Sequence, residues 1–292
     1  MEKPKRRYPL WWWVGLVAIV VIIALTAIPG FWETGRAPGN SIHSPGMGDF
    51  FPETLIWDET AFEFNRLTLA RLLVAVVLSA ILVTVALRAK LVPGRGQATV
   101  EFLAEFVRKN IGIELLGHER GRKYAVALGT IFFGVLGMNL TGVIPGINIA
   151  ASSVMSVPLV FAVFAYVTFI GAGIKARGGL RFFKEQLFPP GVPWPVYILI
   201  TPIELFSTFV VRPATLAVRL LSNMIAGHML LAITYFGTQS MVVAAGGMKP
   251  LAILTFSGSV VLTLFELFVA ALQAYVFTIL TAVYIKMSVE AH

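Results

Sequence analysis

Arg212, Arg219, Asn223 and His228 fall within one long apolar run, residues 196–236, and Glu266 and Gln273 fall within a second, 251–287. An arginine at the centre of a membrane helix costs roughly 2.5–3.5 kcal/mol on insertion scales, and its default reading is a functional site with a charged partner. A snorkelling side chain is the plain alternative, but Arg219 stands mid-run rather than at an end. No carboxylate lies in 212–231. The acid that answers Arg219 must therefore come from another helix or another protein. His228 and Glu266 suggest different chemistry, because a buried imidazole and a carboxylate that face one another can share a proton. An inert interhelical hydrogen bond is the alternative there.

Helical geometry sorts these residues, at about 100° per residue. Thr208, Arg212, Thr215, Arg219, Ser222, Asn223 and Ala226 fall within about 60° of one line. That face is polar or small, which lets another helix approach Arg219 closely. His228, nine residues beyond Arg219, lies on the opposite face. In the second run Ser259, Thr263, Glu266, Gln273 and Tyr284 make another polar stripe. If the runs are antiparallel and Gln273 is level with Arg219, Glu266 lies within about 3 Å of the depth of His228.

Composition says what must hold such groups. The chain is 57% hydrophobic and 13% charged, with mean hydropathy +0.82, far outside the soluble range. It reads as an all-α polytopic membrane protein with about six membrane segments. The net charge of +8 is no nucleic-acid signal, because the basic residues gather at membrane boundaries. The absence of cysteine excludes disulfides and thiolate metal sites. His43, His118, His228 and His292 are too scattered to suggest a metal cluster, and no cofactor is expected.

Residues 1–28 begin with Lys3, Lys5, Arg6 and Arg7, pass through Trp11, Trp12 and Trp13, and continue apolar. They are expected to be retained as a membrane anchor. Residues 29–66 form an acidic, turn-rich external loop, and 67–292 the main membrane domain. Further spans are expected at 67–87, 124–144 and 154–174. An amphipathic helix is expected near 98–110, either on the inner surface or packed on the membrane domain. Basic residues at 88–95, 120–123 and 175–184, the last expected as an inner loop with Lys175, Arg177, Arg181 and Lys184, mark the inner side and put both termini there. Runs 196–236 and 251–287 are too long to stand upright: as helix the first spans about 60 Å against a core of about 30 Å. They are expected to form a long antiparallel hairpin that turns at Gly246-Gly247, Lys249 and Pro250, its excess length taken up either by strong tilt or by a break near Pro202 or Pro213.

Leu216-Ala-Val-Arg219-Leu-Leu-Ser-Asn223-Met-Ile-Ala-Gly-His228, with Glu266 and Leu272-Gln273-Ala-Tyr-Val-Phe277, resembles subunit a of the rotary F-type ATP synthase. So do Met138-Asn-Leu-Thr-Gly-Val-Ile-Pro145, Phe188-Pro-Pro-Gly and Pro202-Ile-Glu204-Leu. The likeness covers about residues 62–290, and the Arg219 motif is highly specific. The first span and the acidic loop look like an extension of the minimal five-span pattern. One spacing departs from the family: Glu204 lies nine residues before Pro213, where eight is commoner.

The resemblance implies a non-catalytic, proton-translocating stator subunit in a bacterial plasma membrane. Its partners would be a rotor ring of c subunits, which the hairpin flanks, peripheral-stalk b-type subunits, the rest of the synthase and the lipid bilayer, with no nucleic acid. Arg219 would face the rotor carboxylate, and Arg212, Thr215, Ser222 and Ala226 would line the rotor-facing side. Asn223, His228, Glu266 and Gln273 would line an outer half-channel, and Glu204 an inner one. A proton-coupled secondary transporter is the rival reading, but it should show an internal repeat and broken helices, and no convincing repeat is present. An intramembrane hydrolase would need a nucleophile with a base, or a metal cluster, and Glu266 with His228 alone is thin support.

Overall fold

The computed structural model describes residues 46, 54–56, 64–143, 152–187, 196–243 and 249–290. The expected anchor 1–28, most of the loop 29–66 and the turn at Gly246-Gly247 lie outside them. A two-stranded antiparallel ladder, β1 (Thr54–Ile56) with β2 (Phe64–Asn65), precedes the helices. Asn65 then caps α1 (Arg66–Leu87), its side chain accepting from the Thr68 N–H at 2.9 Å. That bond satisfies one of the orphan donors of the first turn. All other regular structure among the described residues is helical.

Helix α2 (Arg95–Phe106) runs without a break into a π-helical segment, π1 (Val107–Ile113), and a last turn, α3 (Glu114–Leu116). Its apolar side packs on the membrane domain: Val107 and Ile111 are buried, and Leu103 and Phe106 lean on the same core. Its other side is salted, with Glu105 bridging Lys109 and Arg108. The Lys109 ammonium holds the Glu105 carboxyl below its usual range. Gly117, at φ 80°, turns the chain into α4 (His118–Leu140), a backbone angle at which a side chain is strained.

Helix α5 (Ser156–Arg177) ends at Gly178, at φ 83°. The basic stretch that follows reads from sequence as a loop but is helical, α6 (Gly179–Leu187). Phe182 drives this, since it is 1% exposed beside Gly173. Burying such a ring stabilises by about 1.5–3 kcal/mol.

The two long apolar runs form nearly continuous helices. Helix α7 (Tyr197–Phe206, with Pro202 inside it) passes through π2 (Ser207–Val211) into α8 (Arg212–Val243), and α9 spans Lys249–Val289. Of the two expectations for the excess length, a break at a proline does not occur: the helix widens there and continues. Pro213 has no N–H, and its ring crowds the carbonyl four residues back. The wider π turn ahead of it relieves that crowding.

Among the described residues, five stretches are long and apolar enough to span a membrane: Leu67–Leu87, His118–Leu140, Ser156–Arg177, Tyr197–Val242 and Pro250–Val289. The core joins Leu128, Ile131 and Val135 of α4, Ala162 and Ala165 of α5, Leu216 and Ala217 of α8, and Ala274 and Ala282 of α9. The many alanines matter because lipid gives helices no hydrophobic reason to associate. Close backbone approach through small residues supplies the dispersion contact instead.

One such backbone approach holds π1 against α4. A Cβ on Gly121 would lie 2.7 Å from the Gly112 carbonyl carbon and oxygen. Both obstacles are backbone, so no rotamer change relieves the clash. Gly121→Ala should therefore destabilise the subunit by about 1–3 kcal/mol, the usual cost of overpacking. Thermal melting of the detergent-solubilised complex is the check, and an unchanged midpoint would show that the two segments separate freely.

Candidate functional site

Helix α8 has two unlike faces around Arg219. Leu216, Ala217, Leu220 and Met224 are buried against the rest of the chain. Thr215, Arg219, Ser222 and Ala226 are exposed, and Asn223 lies between the two faces. Among the described residues no carboxylate pairs with Arg219. An arginine in an apolar helix has thus been turned away from its own fold. Its immediate neighbours carry small or short polar side chains, so another helix can approach the guanidinium closely.

The buried side of α8 meets α9. Tyr235 and Thr263 touch through their hydroxyls at 3.2 Å, and Thr238 donates to Thr255 at 3.0 Å. One turn or so deeper, His228 Nε2 stands 3.7 Å from Glu266 Oε1, with side-chain exposures of 8% and 4%. Residue numbers rise on α8 as they fall on α9, so the packing is antiparallel. The same register carried onward sets Gln273, also buried, within a turn of Arg219.

At 3.7 Å the His228–Glu266 contact exceeds hydrogen-bond length. No donor among the described residues bonds either Glu266 oxygen. Leaving a buried acceptor unsatisfied costs about 1–3 kcal/mol, so the arrangement has a price that folding alone does not explain. Gly227 makes it possible: a Cβ there would come within 3.0 Å of Glu266 Oε1. The pair can therefore hold one proton between two nearly dry groups.

A second cluster sits on the other side of Arg219. Glu204 Oε1 accepts from Thr208 Oγ1 at 3.1 Å and from Arg212 Nη2 at 3.5 Å. Gln186 of α6 donates to the Thr208 hydroxyl at 3.4 Å, and the Arg212 guanidinium lies over the Tyr284 ring, 5.7 Å from its centroid. The expected common face of α8 therefore divides. Thr208 is buried and Arg212 turns to Glu204, whereas Thr215, Arg219, Ser222 and Ala226 face outward. Reckoning at 100° per residue fails across the wider turns of π2, which re-phases Glu204 and Thr208 against α8; Arg212 and Arg219 keep the phase of one regular helix and differ in what their side chains reach.

The spacing of the site residues was readable, but two members of the inner cluster were not placed by it. Tyr284 belongs to a polar stripe that by itself implies no role, and Gln186 lies just past the basic stretch 175–184, in no motif. The four-residue steps from Glu204 to Thr208 to Arg212 were the available signal, since i,i+4 pairs meet on a helix.

A family model described as ATP synthase A chain matches residues 68–286. A protein described as ATP synthase subunit a from Rhodococcus erythropolis is 40% identical over 253 residues, covering 86% of this chain and 92% of that one. One from Streptomyces lividans is 36% identical over 255 residues, with coverage of 87% and 90%. One from Frankia alni is 42% identical over 199 residues, with coverage of 68% for each. A multi-pass helical membrane chain with an outward arginine and two internal acid–base pairs matches that family along most of its length, and the chain belongs to the ATP synthase subunit a family, the non-catalytic, ion-translocating part of that complex.

Proposed function

We propose that this chain supplies two aqueous half-channels and the arginine that drives proton release from the rotor. The observation that carries the reading is Arg219: central in an apolar helix, exposed, and without an acid partner among the described residues. Its partner is then a carboxylate on each c subunit of the rotor ring, approached across Thr215, Ser222 and Ala226. Asn223, His228, Glu266 and Gln273 line the outer half-channel, and Glu204 the inner one. The α8–α9 hairpin lies tilted along the rotor, and b-type subunits hold the chain in the stator. The basic ends of α4 and α5 support a bacterial plasma membrane orientation with both termini inside.

The physics is a switch in the cost of charge. A rotor carboxylate in lipid is neutral, because burying its charge is prohibitive. Opposite Arg219 the ionised form is stabilised, and the proton leaves by the inner path. A guanidinium stays charged where an ammonium can lose its proton. A fixed positive charge between the half-channels also bars protons from crossing without rotation. Each proton brings about 2.3 kcal/mol per 100 mV of membrane potential.

Arg219→Ala is expected to abolish ATP-driven proton pumping in inverted vesicles, and Arg219→Lys to fail as well. Normal pumping by the alanine variant would sink the assignment, while wild-type synthesis by the lysine variant would show that positive charge alone suffices. Exchanging His228 and Glu266 together should restore more proton flux than either single exchange permits. Equal loss in the double and single variants would argue against a working pair.

A further inference from the structure

Arg212 is the second arginine of α8, seven residues before Arg219, and its surroundings are different. Its side chain is 16% exposed and that of Glu204 is 32% exposed, so the pair is half-wet. Both donors that reach the carboxylate, Thr208 Oγ1 and Arg212 Nη2, converge on the same oxygen, Oε1. Among the described residues no donor reaches Oε2. The donors are themselves held: Gln186 of α6 donates to the Thr208 oxygen, and Tyr284 of α9 lies beneath the guanidinium.

The π2 segment is what brings the pair together. In an unbroken α-helix, residues eight apart lie about 80° apart around the axis. The wider turns of π2 remove most of that offset, and Arg212 comes to lie in line with Glu204.

We propose that Arg212 is a positioning residue for proton exit, one that fixes Glu204 by a single oxygen and leaves the other to take and release the proton. The proposal rests on Glu204 belonging to the inner half-channel. A proton leaving the rotor carboxylate is accepted at Oε2 and passes to water on the inner side. The carboxylate then returns to its pair with Arg212, and no other group changes charge. Arg212 never carries the proton; it stops the carboxyl from rotating away from the path or pairing with Arg219 instead.

The test measures ATP-driven proton uptake in inverted vesicles that carry the whole synthase, with rates normalised to assembled complex. Charge-assisted hydrogen bonds of this kind are strong enough that Arg212→Gln should slow uptake about tenfold, and Arg212→Lys should recover most of the rate. In a Glu204→Gln background, itself slow, Arg212→Gln should cause no further loss. Equal losses in both backgrounds would overturn the proposal while leaving Glu204 in the path. Wild-type pumping by Glu204→Gln would remove the inner-channel reading, and the proposal with it. Should the glutamine variant not assemble, Thr208→Val removes the other donor to Oε1: a loss confined to the Glu204 background supports the clamp, and an equal loss in both backgrounds overturns it.

Discussion

A charge held in hydrocarbon must be paired, wetted or neutralised, and α7, π2, α8 and α9 together meet that constraint in three ways. Arg212 and Glu204 are paired and half-wet. His228 and Glu266 are paired, nearly dry and not hydrogen-bonded to one another. Arg219 is neither paired nor enclosed by the described residues. The differences track what each site can do. A half-wet carboxylate is open to water, a dry imidazole–carboxylate pair is shielded from it, and an open guanidinium is accessible to an acid from outside the fold, which is what the proposed roles require.

Those three environments depend on backbone distances that ordinary side chains would not allow. Gly227 lets Glu266 stand against α8. Ala217, Ala274 and Ala282 let α8 and α9 pack into one core with α4 and α5. In a membrane this closeness is itself the source of helix association, so packing and site geometry share one set of residues. The far end of α9 is fixed in the same manner, the Ser288 hydroxyl donating to the Phe169 carbonyl at 2.7 Å.

Much of this was legible in the residues because helices obey simple arithmetic. With the runs antiparallel and Gln273 set level with Arg219, rise per residue brings Glu266 near the depth of His228, and the side chains stand 3.7 Å apart. The phase of Arg219 against His228 also reads directly, since α8 is regular between them. The phase of Glu204 and Thr208 against α8 did not read, because it depends on hydrogen bonds that shift from i+4 to i+5 in π2. Nor did α6: a short segment that opens on glycine and carries several charges resembles a loop until the burial of Phe182 is known. The signal in both places is tertiary, and periodicity along one segment cannot carry it.

The π2 segment deserves to be read as function rather than irregularity, on grounds of geometry. A proline such as Pro213 can be accommodated by a kink, by a break or by a wider turn. A kink or a break would leave α7 and α8 free to differ in direction, and the Glu204 carboxylate would lose its fixed relation to Arg212. The wider turn keeps one continuous helix from Tyr197 to Val242 while changing only the rotation between its halves. The Glu204 carboxylate thereby meets Arg212, while Arg219 follows seven residues later in regular α8, about 20° from the same line. Two arginines near one line of α8 are thus given different surroundings: the first takes the carboxylate that π2 brings round to it, and the second has no acid partner among the described residues.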